Sequence, residues 1–353
     1  NLKPGTKILL LLLLPTALAF PVAAQDGPVS PLLTGTGTFL GETPPLRDLP
    51  VLSKEDWDFL VKKAERKMLN PKIRYREFPY AYKALPKGPD PAWQKEMGGN
   101  RDSRAPIQNF DGTDSPALPS DANGAIGPNH FMQTVNSVYT IYNRAGTIVA
   151  GPTNMNLLFY GVAGAQYNNG DPIVLFDEEA DRWLAAEFSI EGSDDSMLVA
   201  VSTTNDPTGT WYKYSFNVDD TPDYEKFGIW RDGYYMGTNT ATAGKCDIYV
   251  MERSKMLLGQ TAQIVGFDNP WRPTTIGGFH CVPPLDNDGA FAPEGSPGLF
   301  ITINDDAIGG GSDQLWIYEL DVDWTTPANS TFIRTQQINV TAFDSNFGPD
   351  WSN

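Results

Sequence analysis

The sequence predicts an all-β fold, a β-propeller built from antiparallel blades of four strands. The first observation is periodicity, because apolar strands that end in Asn or Ser recur at intervals of about 50 residues, the length of one blade. The second is composition, because 33 Gly and 29 Pro residues punctuate short runs rich in Val, Ile, Tyr and Trp. The recurring strands are residues 130–136, 182–189, 233–239 and 298–304, and their alignment makes Phe131, Leu184, Tyr235 and Phe300 equivalent.

Each predicted blade has the same four parts: a short inner strand, a tight turn into a second strand, then a third and a fourth strand. In the third blade the tight turn contains Asp232-Gly233, which is a good hairpin signal. Propellers have roughly four to eight blades, and four unclosed blades would leave sheet edges exposed. We therefore expect the propeller to be incomplete here, with further blades after residue 353.

Three segments are predicted before the blades, which occupy residues 121–353. Residues 1–24 combine a basic start, a short apolar run and small residues before Gln25, the pattern of a cleaved signal peptide. The alternative is a retained N-terminal anchor. Residues 25–120 are predicted to form a linker, a helix over about residues 54–69 that begins with a near capping box, and an extended arm.

The net charge of the chain indicates which classes of partner are not expected. Asp and Glu outnumber Lys and Arg by 43 to 26, which gives a formal net charge of −17. Nucleic acid is therefore not an expected partner, because nucleic-acid binding needs a basic surface. The signal peptide predicts a secreted or cell-surface protein, extracellular or periplasmic. No other segment is apolar enough to span a bilayer, so no membrane insertion is expected after cleavage.

An acidic residue opens each predicted blade. Inner strands line the channel of a propeller, so these carboxylates are expected to form a ring at the mouth of the channel. Such a ring could bind Ca²⁺, supply the acid and base of glycoside hydrolysis, or only cap local turns. The residues are Asp121, Asp171, Asp223 and, in the fourth blade, Asp286 or Asp288.

Two further polar features are candidate ligand sites. Asp286 and Asp288 begin an Asp-Asn-Asp-Gly turn like the front of a calcium loop, although no Glu follows at the required distance. His130 lies in the turn between the first two strands, near the expected channel, where it is either a ligand residue or a solvated turn residue. His130 and His280 are the only histidines, which excludes a zinc site with several His ligands.

The cysteines and one tryptophan complete the candidates. Cys246 and Cys281 form either a disulfide, as the predicted export favours, or two buried thiols. Trp271 lies in the insertion before the fourth blade and is the aromatic residue best placed to stack on a sugar, the alternative being a core position. Ca²⁺ is the one cofactor with a candidate site, and no residue is assigned as catalytic.

Residues 204–211, Thr-Asn-Asp-Pro-Thr-Gly-Thr-Trp, resemble the Asp-box of sialidases and related BNR-repeat propellers, with the Gly displaced by one position. The resemblance implies structural roles for Asp206, Gly209 and Trp211 in a turn between the third and fourth strands. A sialidase would also need three arginines on inner strands, whereas Arg182 and Arg231 are at turns. The resemblance therefore supports the fold and not an activity.

Over about residues 105–345 the chain also resembles a broad group of exported bacterial propeller proteins. The resemblance is carried by GDPIVLFDEEADRW, by the run from Ser202 to Phe216, and by PDYEKFGIWRDGYYMGTN. It implies an exported propeller, often part of a multidomain protein and sometimes sorted to the cell surface, and it carries over no catalytic residue. Because the scaffold is complete but shows no recognisable chemistry, the leading hypothesis is a secreted or surface propeller that binds polysaccharide or extracellular protein without catalysis. The alternatives are a carbohydrate-active enzyme, glycoside hydrolase or sialidase-like, that uses the channel-mouth carboxylates, and a structural or adhesive module of a larger protein.

Overall fold

The computed structural model describes residues 27–68, 107–117, 119–190, 195–240, 242–273, 280–306 and 311–343. Most of its regular structure is β, in four antiparallel sheets, which confirms the all-β prediction. The predicted signal peptide, residues 1–24, lies outside the described residues. No helix among the described residues is long and apolar enough to cross a membrane.

Two strands, β1 (Leu33–Thr36) and β2 (Thr38–Glu42), and the helix α1 (Lys54–Met68) precede the repeated sheets. Sheet I contains β3 (Asn123–Ile126), β4 (His130–Val135), β5 (Val138–Asn143) and β6 (Ile148–Asn154). Sheet II contains β7 (Ile173–Asp177), β8 (Arg182–Ser189), β9 (Ser196–Ser202) and β10 (Trp211–Asn217). Sheet III contains β11 (Lys226–Ile229), β12 (Tyr234–Gly237), β13 (Ile248–Met251) and β14 (Gln263–Phe267). Sheet IV contains β15 (Gly298–Asn304), β16 (Gln314–Asp321) and β17 (Thr331–Asn339).

Within every sheet the repeated strands follow chain order, as predicted for one blade per repeat. Sheet IV keeps this plan with a reduced first strand. Pro284 forms an isolated antiparallel bridge with Phe300, and the Leu285 amide donates to the Leu299 carbonyl at 2.8 Å. Strand β15 is therefore the second strand of its unit. The arrangement of the four units around a central axis remains a prediction.

Consecutive sheets pack through three apolar cores, which makes the order of the sheets in space the order in the chain. Burial of these large side chains supplies most of the driving force for stacking, at about 1.5–3 kcal/mol for each fully buried side chain. The core between sheets I and II includes Met132, Tyr139, Trp183 and Trp211. The core between sheets II and III includes Leu184, Tyr214, Tyr234 and Met251, and that between III and IV includes Tyr235, Val250, Phe300 and Phe332.

The segment predicted as a linker instead contains two paired strands. We call residues 27–48 the strap, because they run along the last strands of the sheets in reverse order. Val29 bridges Phe332 of sheet IV, β1 pairs with β14 of sheet III, and β2 pairs with β10 of sheet II. Leu46 then lies fully buried in the core between sheets I and II. Local composition resembled a linker because short Gly- and Thr-rich edge strands carry little apolar pattern.

The predicted capping box at the start of α1 is present. The Asp56 amide donates to Ser53 Oγ at 3.1 Å, and the Ser53 amide donates to Asp56 Oδ2 at 2.9 Å. The hydrogen bonds from Ser53 lower the pKa of Asp56. Of the predicted arm, residues 107–117 are described, and Phe110 packs with its ring centroid 5.2 Å from that of Tyr142 in sheet I.

The sheets have two ends that matter for the site. We call the end where the first strands begin the leading end; it includes the residues just before β7 and β11. The other is the hairpin end, where the first strand turns into the second, as between Asp177 and Arg182. Because first strands are only four or five residues long, the two ends are about 10–15 Å apart.

Candidate functional site

Two of the predicted carboxylates lie at the leading end of neighbouring sheets. Asp171 precedes β7 in sheet II, and Asp223 precedes β11 in sheet III. Both raise the pKa of the same side chain, Glu225, by their negative charge. Strands β7 and β11 also contact each other, so Asp171, Asp223 and Glu225 form one group, which we call the leading-end carboxylates.

Glu225 is the most unusual residue of this group. Its side chain is 1% exposed, and neither carboxylate oxygen has a hydrogen-bond partner in another residue. Burial raises its pKa well above the ordinary value, and the charge of Asp171 and then that of Asp223 add to the effect, while Lys226 opposes it. The protonated form is thus favoured, because an ionised carboxylate would be buried without compensation.

Beside Glu225, an aromatic ring is presented to solvent. Tyr224 is 47% exposed and has a φ of +57°, a left-handed conformation that a bulky residue adopts only where its surroundings impose it. Lys226 Nζ lies 3.7 Å from the centroid of the Tyr224 ring and donates to the Glu225 carbonyl at 2.9 Å. An exposed ring, an ammonium and exposed Asp223 therefore adjoin one another.

The third predicted carboxylate, Asp121, belongs to a link between sheets I and II. Asp121 Oδ2 accepts a hydrogen bond from Asn136 Nδ2 at 2.8 Å. Gly170, at φ +101°, passes so close to the Asn136 amide that a Cβ atom would collide with it. Asp121 is thus bonded to the side chain of Asn136, and Asn136 in turn contacts the chain just before Asp171.

In sheet IV the leading end is occupied by His280 and Cys281. The His280 amide donates to Asn239 Oδ1 at 2.7 Å. The pKa of the Cys281 thiol is raised to about 12, mainly by burial, with Lys226 opposing and the charges of Asp247 and Glu225 adding to the shift. Cys281 therefore lies close to the leading-end carboxylates.

The disulfide expected as one alternative is not formed. Cys246 and Cys281 are both free thiols. Cys246 belongs to the core between sheets II and III, where burial raises its pKa. The alternative of two separate thiols is the one that the structure contains.

Asp286 and Asp288 do not join the ring predicted for the fourth blade. Asp286 Oδ1 accepts from the amide of Ile229, the last residue of β11, at 2.7 Å. It therefore lies at the hairpin end, opposite the leading-end carboxylates. The sequence alignment missed this because the insertion before sheet IV carries these residues back along sheet III.

His130 is also at the hairpin end, away from Asp171 and Asp223. Its Nε2 lies 4.0 Å from Asp206 Oδ1, and its Nδ1 is buried without a hydrogen-bond partner. The turn between first and second strands is at the opposite end from the start of the first strand, so His130 and Asp171 are not brought together, and the ligand role of His130 stays a prediction.

The turn that resembles an Asp-box joins β9 to β10. Asp206 Oδ1 accepts from the Thr208 amide at 2.9 Å, and the Gly209 amide donates to the Asp206 carbonyl at 3.1 Å. Trp211 Nε1 donates to the Pro207 carbonyl at 2.9 Å, and its ring is fully buried between sheets I and II. These contacts are structural, so this turn contributes stability and no candidate chemistry.

Trp271 is not an exposed platform. It is 8% exposed and packs in the core between sheets III and IV, with its ring centroid 6.2 Å from that of Phe332. The Tyr318 hydroxyl donates to its carbonyl at 2.8 Å, which further fixes this segment. The core alternative is therefore correct for Trp271, and the exposed ring near the carboxylates is Tyr224.

Metal ligands are arranged differently from the prediction. Among the described residues, Asp305, Asp306 and Asp313 are the group whose ligand atoms all lie within 4.8 Å of one another. They belong to the loop between β15 and β16. The leading-end carboxylates do not form such a group among the residues that the structure describes, and the metal site at Asp286 and Asp288 stays a prediction.

Three residues of this area, Tyr224, Glu225 and Lys226, were not predicted from the sequence. All three follow Asp223 directly, in the run Asp-Tyr-Glu-Lys before an apolar strand. Such a run is typical of a solvated turn. The one available signal was its adjacency to a predicted site residue, and nothing local indicates that Glu225 is buried.

The structure thus defines an all-β protein of stacked antiparallel sheets with a carboxylate-rich leading end. No family model matches the chain. No curated protein matches it either.

Two solved structures resemble it distantly. One is a putative glycoside hydrolase from Parabacteroides distasonis, with 12% identity and a TM-score of 0.32, covering 62% of this chain and 72% of that one. The other belongs to work on the GH130 family of mannoside phosphorylases, described as containing glycoside hydrolases that target β-1,2 mannosidic linkages in Candida mannan. It has 10% identity and a TM-score of 0.30, and covers 62% of this chain and 69% of that one. Likenesses of this size do not define a family or a function for this chain.

Proposed function

We propose that the protein binds polysaccharide at the leading end of its sheets. The observation that carries the proposal is the exposed ring of Tyr224 directly beside the exposed carboxylate of Asp223, with Asp171 of the next sheet close by. Sugars present apolar C–H faces that pack on aromatic rings and hydroxyl donors that bind carboxylates. Both kinds of contact are available within one small area.

The architecture supports the same proposal. If the four sheets are successive blades, their first strands surround a channel and the leading end is its mouth, where a chain of sugar units could lie across several blades. Predicted export, to the extracellular space or the periplasm, would bring the site to cell-surface or extracellular glycans. An extracellular protein is the alternative ligand.

A glycan array followed by calorimetry tests the proposal. Tyr224→Ala should weaken binding of the best glycan about tenfold, since loss of a stacked ring costs on the order of 1–2 kcal/mol. Asp223→Asn should also weaken it. Phe59→Ala, an exposed ring on α1, and Asp288→Asn, an exposed carboxylate at the hairpin end, are the matched controls.

Two outcomes would contradict polysaccharide binding. One is the absence of any glycan whose affinity falls in the Tyr224 and Asp223 variants but not in the controls. The other is retention of an envelope protein, in place of glycans, that depends on the same two residues; this would establish the protein ligand.

A second candidate, glycoside hydrolysis, is favoured by Glu225. A carboxyl group that holds its proton beside other carboxylates is the pairing from which glycosidases take a general acid and a base or nucleophile. Both oxygens of Glu225 are covered, so the acid would have to be uncovered when substrate binds. Release of reducing ends should then disappear in Glu225→Gln and Asp171→Asn. Hydrolysis unchanged in both variants, for every substrate cleaved, would remove this candidate.

A further inference from the structure

We propose that the leading-end site selects a saccharide that carries a free ammonium group, as a deacetylated amino sugar does. The inference rests on the proposed function and adds the chemical class of the ligand. Three observations carry it: the charge of the site, the unsatisfied Glu225 carboxyl group, and an ammonium already placed on the Tyr224 ring.

The site has more negative groups than positive ones. Asp171 and Asp223 bring negative charge beside the protonated carboxyl group of Glu225, and the charge of Lys226 opposes theirs. A neutral sugar would bring no charge to offset these groups. A ligand ammonium would, and it donates three hydrogen bonds that carboxylates accept.

Glu225 is the second observation, a buried carboxyl group without a hydrogen-bond partner in another residue. A buried polar group without a partner costs roughly 1–3 kcal/mol, so such groups in native proteins call for an explanation. Glu225 is 1% exposed and both of its oxygens are unpartnered. A cation bound beside Asp171 and Asp223 would offset the cost of ionising Glu225, which the charges of both residues disfavour.

A divalent metal fits less well. Calcium needs six to eight oxygens at about 2.3–2.6 Å, so ligands on one ion must lie within about 5 Å of each other. The leading-end carboxylates are not gathered within 4.8 Å, unlike Asp305, Asp306 and Asp313. An ammonium needs fewer contacts: two acceptors and one ring face are sufficient.

A contact between an ammonium group and the Tyr224 ring already exists within the protein, because Lys226 makes it. Its Nζ lies 3.7 Å from the Tyr224 centroid, which is cation–π geometry. The same ring can therefore accept the ammonium of a ligand. Lys226 also places a like charge next to the proposed ligand position, so its removal should strengthen binding of an amine and leave binding of a neutral sugar almost unchanged.

Cation binding should be coupled to proton release. Glu225 faces Asp171 from sheet II, Asp223 and Lys226 from its own segment, and Cys281 from sheet IV. The thiol has a pKa of about 12 and keeps its proton at neutral pH. An arriving positive charge favours ionised Glu225, so a proton leaves the protein when the ligand binds.

The test compares glucosamine oligomers with N-acetylglucosamine oligomers of equal length by calorimetry at pH 6, in two buffers of different ionisation enthalpy. We expect the amine to bind at least tenfold tighter, with proton release that Glu225→Gln abolishes. Lys226→Met should tighten binding of the amine severalfold and not that of the N-acetyl oligomer. Asp171→Asn should weaken binding of the amine about tenfold, and Asp288→Asn should change nothing.

The outcomes separate the two proposals. Equal or tighter binding of the N-acetyl oligomer overturns selection of an ammonium group and leaves polysaccharide binding intact. Binding of neither oligomer, nor of any glycan on the array, overturns both. Amine binding that is insensitive to Lys226→Met and Asp171→Asn overturns the assignment of the ammonium to this site.

Discussion

At the scale of single residues, Glu225 is unusual because it belongs to a polar run of the sequence and is nevertheless buried. It lies between Tyr224 and Lys226, directly before β11, and it is buried although Tyr224 is exposed and Lys226 is half-buried. Its pKa is raised chiefly by burial. The folded protein therefore binds a proton that the unfolded chain releases near pH 4.3.

This predicts the pH dependence of stability. Between about pH 4.3 and the higher pKa in the folded state, only the folded protein holds the proton, so stability falls as pH rises. The Glu225→Gln variant cannot ionise at this position, so it should not lose stability in this way. Its free energy of unfolding, relative to that of the wild type, should therefore be higher at pH 8 than at pH 4. Urea unfolding followed by Trp fluorescence measures the free energy of unfolding of the wild type and of the variant at each pH. Exposed Glu294→Gln is the control, and the same difference at both pH values would contradict the prediction.

At the scale of elements, the strap depends on close approach of its backbone to sheet II. Gly37 lies between β1 and β2, and its amide donates to the Ala262 carbonyl at 2.8 Å. A Cβ atom at Gly37 would collide with the buried ring of Phe216. Gly35, two residues earlier in the strap, has only an ordinary contact, 3.6 Å to Ile264 Cγ2.

The two glycines therefore form a matched pair. Gly37→Ala should destabilise the protein by about 1–3 kcal/mol, because overpacking against a core ring forces a shift of the ring or the strap. Gly35→Ala should stay within about 0.5 kcal/mol of the wild type, as expected away from such features. For each variant, a shift of the urea midpoint at an unchanged slope would measure the change in stability. Equal effects at the two positions would show that the strap does not pack on Phe216 as described.

The alignment of the repeated units predicted the strands as strands, but it was wrong in register, by one residue in the first unit. Leu184 and Tyr235, aligned as equivalent, both face the following sheet. Phe131 does not, because it packs with Phe110, and its neighbour Met132 faces sheet II instead. A shift of one residue reverses the face of every side chain in a strand, and periodicity of about 50 residues cannot resolve a single position.

At the scale of the whole molecule, the strap joins sheets that the repeats alone would connect only in sequence. It contacts sheet IV through Val29, sheet III through β1, sheet II through β2, and the core of sheets I and II through Leu46. It thereby covers the outer edges of β10 and β14. Uncovered edges of this kind pair with other chains.

Removal of the strap should therefore change both stability and association. A chain that begins at residue 49 should unfold at a lower temperature and form oligomers, since the edges of β10 and β14 lose their partners. Light scattering after gel filtration, together with thermal unfolding, measures these effects. A chain that begins at Gly27 is the control. A monomer with an unchanged midpoint would contradict a stabilising role for the strap.

The sequence by itself determined the all-β class, the four repeated units and the positions of their strands, because alternation of side chains and turn residues act within a few residues of each other. It also predicted that Asp171 and Asp223 occupy equivalent places. Only the tertiary structure decided that the strap pairs residues 33–36 with 263–266, that Trp271 is buried, and that Glu225 is buried where the charge of Asp171 acts on it. These features depend on contacts between residues far apart in the chain, and a local sequence pattern does not predict such contacts.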